Sequence, residues 1–160
     1  EGLLNNIEYY YSVTSFSKPD IVTNFPSVES SISGNAFEVI VGTGVPETVG
    51  EVAVVPNPYM GDVYYNTFNP PWEKAGNTGI WMEQDRRIQF INLPSPSRLI
   101  IYTLSGDVVR TLNHNDSSKG YKDWNLTSNV GQTVASGVYL FSAEDLNNNQ
   151  VQSGKFVIVK

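Results

Sequence analysis

Short runs of apolar and aromatic residues, separated by turn-forming residues, recur along the whole chain. β-branched and aromatic residues dominate these runs, which is typical of strands. No segment combines a sustained apolar stripe at helical period with helix-capping residues. The predicted strands cover residues 7–16, 35–41, 52–55, 87–91, 98–104, 107–112, 122–126, 134–143 and 150–159. Because turn signals separate the later strands at short, regular intervals, the pattern predicts an all-β antiparallel sandwich or barrel.

Two stretches interrupt this spacing. Residues 42–50 contain three Gly and one Pro, and they form the predicted linker. Residues 59–85 form a long irregular stretch, which is uncommon in a compact domain unless it has a function. We therefore predict an N-terminal part over residues 1–47, linker included, and a sandwich over residues 48–160 that carries residues 59–85 as an insertion.

Charge argues against nucleic acid as a partner. The net charge is −6, whereas binding to phosphate backbones needs clustered Lys and Arg. The charge is unevenly distributed, because residues 1–85 hold two of the ten basic residues and eleven of the sixteen acidic ones. This split indicates two halves of different character and a basic face on the second.

Several sequence features are missing. The chain has no Cys, which excludes a disulfide framework, a thiolate metal site and a Cys nucleophile. No apolar run approaches the roughly 18 residues of a membrane-spanning helix, so we predict no membrane span. The sequence begins Glu1-Gly2 without Met or a signal peptide, and we expect a processed product or part of a longer protein.

Residues with catalytic or metal-binding chemistry are few. His114 and Asp116 lie in a polar stretch that we interpret as a hairpin loop, since a triad or zinc site needs more ligating groups than one His supplies. Asp145 begins a stretch similar to a calcium loop, but Gln150 and Phe156 occupy the positions that require Gly and Glu. We predict no catalytic residue, no cofactor and no metal.

The second half of the chain resembles a known family. It is similar to the C-terminal immunoglobulin-like domain shared by type IX secretion sorting domains and flagellar hook-capping proteins. The resemblance covers residues 51–160, and six blocks in the same order carry it. These blocks are residues 54–58, 88–94, 99–112, 124–126, 134–140 and 154–160.

The resemblance implies a fold, a location and a role. The expected fold is an immunoglobulin-like antiparallel β-sandwich with additional N-terminal strands. The expected role is that of a non-catalytic C-terminal module of a larger bacterial protein, exported across the outer membrane to the cell surface or medium, in secretion sorting, surface attachment or structural assembly. The expected partners are outer-membrane secretion machinery or other chains of a parent complex. The residues that carry the sorting motif are Pro56, Asn57, Pro58, Gly137, Tyr139, Gly154, Lys155 and Phe156.

Residues 1–41 are similar to the last strands of a fibronectin type III domain, whose earlier strands are missing here. A two-stranded ribbon is marginal in water, and its free edges can accept a further strand. We expect these strands to pair with another chain by strand addition. The alternative is that they pack on the sandwich.

The insertion departs from the family, in which the connection after the Pro-Asn-Pro motif is short. Here residues 59–87 precede Ile88. Three interpretations remain open. The aromatic residues could be buried as a lid on an open side of the sandwich, could contact a protein partner, or could stack on a polysaccharide. The candidate contact residues are Tyr64, Tyr65, Trp72 and Trp81.

We also predict structural roles for individual residues within the segment that resembles the family. Gly106 is expected to supply a turn position with positive φ. Gly137 is expected to mark a bulge or close packing under Trp124. Lys155 and Lys160 are interpreted as solvated edge-strand charges or as docking charges for secretion machinery. The predicted core or tyrosine-corner residues are Tyr102, Trp124, Tyr139 and Phe156.

Overall fold

The computed structural model describes residues 8–76 and 79–160. The chain divides into two units, Glu1–Val41 and Gly42–Lys160. The division falls at the first residue of the predicted linker, residues 42–50. Each unit is described by itself below.

The first unit contains a two-stranded antiparallel sheet. Strand β1 (Glu8–Tyr11) pairs with β2 (Phe37–Ile40), with Tyr9 opposite Val39 and Tyr11 opposite Phe37. A 3₁₀ turn (Ile32–Asn35) precedes β2. Both strands lie within the predicted segments, residues 7–16 and 35–41, and residue 7 is outside the described part.

Side chains end the ladder earlier than the sequence predicted. Ser12 Oγ donates to the Ile32 carbonyl at 2.7 Å, and Asn35 Nδ2 donates to the Val13 carbonyl at 2.6 Å. Such local bonds from side chain to backbone compete with regular pairing. Beyond these bonds, the two chain segments that extend from β1 and β2 are joined by isolated antiparallel bridges, at Phe16–Glu29 and Asp20–Phe25.

The first unit has no buried core among residues 9–39, whose side chains the structure describes. Ile21 and Val22 are each 94% exposed, and Phe16 is 75% exposed. A ribbon with this exposure gains little from apolar burial, which is the dominant favourable contribution to folding.

The described residues of the second unit, 42–76 and 79–160, form eight strands in two sheets. They are β3 (Ala53–Val55), β4 (Tyr59–Met60), β5 (Ile88–Ile91), β6 (Ser97–Thr103), β7 (Val108–His114), β8 (Tyr121–Trp124), β9 (Gly137–Asp145) and β10 (Val151–Val159). The five-stranded sheet has the order β4-β10-β9-β6-β7, and the three-stranded sheet has the order β3-β5-β8. All pairs are antiparallel except β4 with β10, which is parallel.

Alternating residues of both sheets meet in one apolar core, so the predicted all-β sandwich is confirmed. Phe90 of the three-stranded sheet contacts Phe141 and Phe156 of the other sheet edge-on, with ring centroids 5.4 and 5.6 Å apart. Trp124 likewise meets Phe156 at 6.0 Å. Edge-to-face geometry is the favoured arrangement of aromatic pairs. The aromatic residues therefore join the two sheets.

Three of the four predicted core residues are buried, namely Trp124, Tyr139 and Phe156. Tyr102 is the exception. It is half-buried, and its hydroxyl lies 3.3 Å from Ser142 Oγ. The buried positions of β6 are Ser97, Leu99 and Ile101, so the alternation along the strand puts Tyr102 on its outer face.

The two glycine predictions have different outcomes. Gly106 has φ of +93°, as a tight turn between β6 and β7 requires, and that prediction is confirmed. The prediction for Gly137 is wrong. Gly137 starts β9 opposite Ile158 in regular register, and the nearest atom to an added Cβ would belong to Tyr139, at an ordinary 3.8 Å.

The helices of the described residues are three 3₁₀ turns, at Ile32–Asn35, Tyr65–Thr67 and Glu83–Asp85. Across residues 8–76 and 79–160, none has the length and hydrophobicity needed to cross a bilayer.

Candidate functional site

The residues of the sorting motif come together around β10. Pro56 and Pro58 have no N–H to donate to a sheet, so the connection from β3 to β4 cannot continue as a regular ladder. The Asn57 side chain bridges the gap, because its Oδ1 accepts the Val157 N–H at 3.1 Å. Immediately afterwards β4 pairs with β10, with Tyr59 opposite Ile158. The motif thus joins the first strands of the sandwich to its last one.

Tyr139 and Phe156 form the apolar side of this site. They are cross-strand partners on β9 and β10, and their rings stack with centroids 5.8 Å apart. The Tyr139 hydroxyl donates to the Ala135 carbonyl at 2.8 Å, in the manner of a tyrosine corner. Burial raises the pKa of Tyr139, so the phenol remains a neutral donor.

Gly154 and Lys155 follow one another on β10 and have different surroundings. Gly154 lies opposite Phe141, and an added Cβ would come 2.5 Å from that ring. The ring therefore occupies space that only Gly leaves free. Lys155 is exposed, opposite Leu140. It is the one charged side chain of the predicted motif.

The end of β10 is held at several points. The Val159 carbonyl accepts the Gly61 N–H at 2.6 Å. The Lys160 N–H donates to Ser136 Oγ at 2.8 Å, and Lys160 Nζ lies 3.2 Å from Glu83 Oε1. Gly137 pairs with Ile158 in the same region. Six of the eight predicted motif residues therefore lie on β10 or bond to it, and Pro56 and Pro58 flank one of these six, Asn57.

The insertion, residues 59–85, is called the lid segment below. Its centre is Glu73, which is only 2% exposed. Glu73 Oε1 accepts the Tyr59 hydroxyl at 2.6 Å and the Arg87 N–H at 3.2 Å, and its Oε2 accepts Trp81 Nε1 at 3.1 Å. A buried carboxylate with three donors is well satisfied. Burial, reinforced by the hydrogen bond to Glu73, raises the pKa of Tyr59 above its usual range.

Two arginines add to this network. Arg86 Nη1 donates to the Tyr59 hydroxyl at 2.8 Å, and its guanidinium lies 5.2 Å from the Trp81 ring centre. The guanidinium of Arg87 lies 4.1 Å from the Trp72 ring centre, within cation–π range. Trp72 Nε1 also donates to the Arg87 carbonyl at 2.9 Å. Arg86 and Arg87, which immediately precede β5, therefore hold the lid segment through hydrogen bonds and cation–π contacts.

The four candidate contact residues do not share one exposed face. Tyr64 is 77% exposed. Tyr65 is buried, and its hydroxyl accepts the Met60 N–H at 3.2 Å. Trp72 and Trp81 are half-buried, and each has an arginine over its ring. Only Tyr64 therefore presents a freely accessible ring of the kind that stacking on a sugar needs.

A buried polar group lies at one end of the five-stranded sheet. Ser97 on β6 pairs with His114 on β7 and with Asp145 on β9. The hairpin-loop prediction for His114 is wrong, because His114 is the last residue of β7 and is 2% exposed. Burial lowers its pKa, opposed by a hydrogen bond to the Lys119 backbone. Ser97 and Asp145 are fully buried, so this trio is closed to a substrate in solution.

Asp145 does not form a calcium loop with its neighbours. Its Oδ1 accepts the Asn147 N–H at 2.9 Å, and its backbone closes the hairpin turn between β9 and β10. The described part of the chain contains no group of three His, Cys, Asp or Glu that could hold a metal ion.

Two features of this site escaped sequence reasoning. Glu73 lies in an irregular stretch, where no periodicity marks an acidic residue as buried. Asn57 was identified through its motif, but the partner of its side chain lies one hundred residues further along the chain.

The second unit is thus an all-β sandwich. Its last strand, β10, is bonded to β4, to β9 and to the Asn57 side chain, and its lid segment is folded around the buried Glu73.

No protein-family model matches the sequence, and no curated protein matches it. Two solved structures from Porphyromonas gingivalis align with it. One is PorZ, described as an essential bacterial surface component of the type IX secretion system, with 18% identity and a TM-score of 0.46 over 68% of this chain and 11% of that one.

The other is dimeric latent PorU, with 20% identity and a TM-score of 0.44 over 98% of this chain and 12% of that one. The chain spans little more than a tenth of the length of either structure.

Proposed function

We propose that this chain is a non-catalytic C-terminal module of a larger exported bacterial protein, with an immunoglobulin-like sandwich that serves in secretion sorting, surface attachment or structural assembly. The observation that supports the proposal is the meeting of motif residues from three separate segments of the chain at β10, through the bond from the Val157 N–H to Asn57 Oδ1 and the stacking of Tyr139 on Phe156.

The motif residues differ in what they contact, and this difference supports the proposed role. Asn57, Tyr139, Gly154 and Phe156 hold β10 in the sandwich, whereas Lys155 faces solvent. A recognition element needs a rigid support and an accessible group. In this proposal outer-membrane export machinery binds the folded terminal strand through Lys155 and its exposed neighbours.

A reporter fusion tests the proposal. Residues 42–160 are fused behind a reporter and expressed in a bacterium with type IX export. The fusion starts at residue 42 because the Thr43 carbonyl accepts the Gly120 N–H at 2.8 Å, a bond that a later start would remove. We expect the reporter at the cell surface or in the medium, and less export with Lys155→Gln. Lys119→Gln, an exposed lysine outside β10, is the matched control. A folded reporter that stays inside the cell contradicts the sorting role.

A second function, assembly by strand addition, is favoured by the first unit. Within its described residues the sheet has two strands, and the exposed apolar residues beside it include Phe16, Ile21 and Val22. We propose that an extended strand of another protein chain pairs with this ribbon. Light scattering on residues 1–160 and 42–160, with hydrogen exchange at β1 and β2, tests this. A monomeric full chain with protected amides in β1 contradicts the need for a partner.

A further inference from the structure

A cleft of about 380 Å³ opens on one side of the sandwich. Its floor and walls come from β7 and β8, which are edge strands of the two sheets, and from the lid segment with the residues that follow it. Leu112 and Trp124 supply apolar surface. The charged lining consists of four cations and two acids, namely Lys74, Arg86, Arg87, Arg110, Asp85 and Asp123.

The cations of this cleft differ in how well they are neutralised. Arg86 is paired with a carboxylate, because Glu83 Oε2 lies 2.7 Å from its Nε, and its Nη1 donates to the Tyr59 hydroxyl at 2.8 Å. Arg110 donates to the uncharged Ser128 carbonyl at 2.8 Å and has no carboxylate partner among the described residues. Lys74 is exposed and forms no ion pair within residues 8–76 and 79–160. Arg110 and Lys74 thus leave positive charge uncompensated.

The two acids of the cleft have partners of their own. Asp123 Oδ1 accepts a hydrogen bond from Gln89 Nε2 at 2.9 Å, and its Oδ2 forms an ion pair with Arg87 Nη1 at 3.8 Å, beyond hydrogen-bond distance. Asp85 Oδ2 accepts the Met82 N–H at 2.8 Å. The Nε groups of Arg87 and Arg110, like that of Arg86, are buried without a hydrogen-bond acceptor. A buried guanidinium N–H without an acceptor lowers the stability of the fold, and an anion bound by the same guanidinium offsets part of that loss.

We propose that this cleft is a binding site for a single oxyanion group, a phosphate, sulfate or carboxylate, on a small or branched ligand. Planar guanidinium groups grip such oxygens in pairs, and a flexible lysine adds a point charge. The volume lies in the range of small-ligand pockets. A nucleic acid does not fit, because the net charge of −6 repels an extended polyanion outside the cleft.

Titration of the full chain with inorganic phosphate, followed by amide NMR at constant ionic strength, tests the proposal. We expect saturable shifts at residues 110–112 and 123–125, with chloride giving none. Arg110→Gln should weaken phosphate binding about tenfold, the factor that corresponds to one charge-assisted hydrogen bond. Sulfate and acetate titrations then separate tetrahedral oxyanions from carboxylates.

If Arg110→Gln does not fold, Lys74→Gln provides a second test of phosphate binding. Lys74 is exposed and forms no ion pair with another described residue, so the fold should tolerate its replacement. It should weaken binding while Lys119→Gln, outside the cleft, leaves it unchanged. Shifts that do not saturate with any of the three oxyanions overturn the proposal. Equal weakening by Lys74→Gln and Lys119→Gln also overturns it, since that result indicates general charge screening.

Discussion

Asn57 and Val157 lie one hundred residues apart in the sequence, and a side-chain hydrogen bond of 3.1 Å joins Asn57 Oδ1 to the Val157 N–H. The bond takes the place of a ladder bond that the flanking prolines cannot make. It ties the start of the sandwich to its final strand before β4 begins to pair. The motif therefore stabilises a long-range contact of the fold.

Replacement of Asn57 by Ala should lower the free energy of unfolding by about 1 kcal/mol, the usual net value of one hydrogen bond. Urea denaturation of the full chain measures this change. Asn113→Ala, at an exposed position of β7, is the matched control and should change stability little. Equal stability of Asn57→Ala and the unmodified chain would mean that water replaces the bond without cost.

Gly154→Ala should destabilise the sandwich by about 1–3 kcal/mol, because the new methyl group overlaps the Phe141 ring and forces it to move. The added Cβ would lie 2.5 Å from Phe141 Cε1 and 2.6 Å from Cζ. Thermal unfolding measures the loss. Gly44→Ala is the control, since an added Cβ there meets no atom within 4 Å. Similar melting temperatures for the two variants would contradict the packing argument.

Glu73→Ala should release the lid segment. The change leaves the donors of Tyr59, Trp81 and Arg87 without their buried acceptor, at a cost of about 3 kcal/mol. Tryptophan fluorescence should move to longer wavelength as Trp81 becomes solvated. Glu47→Ala, an exposed acid, should leave the spectrum unchanged. An unshifted spectrum in Glu73→Ala would show that apolar contacts alone hold the lid segment.

The stability of the second unit should depend on pH through His114. Burial lowers its pKa in the folded state below the ordinary value of 6.5. The unfolded chain therefore binds a proton first as the pH falls, and stability is lost below about pH 6.5, with a slope of up to about 1.4 kcal/mol per pH unit. Urea titrations between neutral and mildly acidic pH measure the slope. His114→Asn should remove it, and a slope unchanged in that variant would assign it to other groups.

Strand positions in the second unit follow closely from the sequence. The segment 150–159 is observed as Val151–Val159, and 98–104 as Ser97–Thr103. Over much of each strand every second residue is the more buried one, as at Leu99 and Ile101 of β6 and at Phe156 and Ile158 of β10, because one face of the strand packs in the core. Turn-forming residues between the strands then set the ends.

Contacts that depend on tertiary structure could not be predicted in this way. The polar residues around His114 indicated a loop, yet β7 extends as far as His114, which pairs with Ser97 of β6. Gly137 lies in a regular ladder, while the close approach occurs at Gly154. The lid segment has no periodicity, so the burial of Tyr65 and Glu73 is decided by long-range hydrogen bonds and packing. The assignment of residues 1–41 to a fibronectin type III fold stays a prediction.

The pairing of β10 has a mechanical consequence. Over its last residues this strand is bonded to β9 on one edge and to β4 and Asn57 on the other. A force along the strand loads both rows of hydrogen bonds in parallel and in shear, so they must fail together. If tension passes through this module when its parent is tethered, β10 should bear the load as one stiff element.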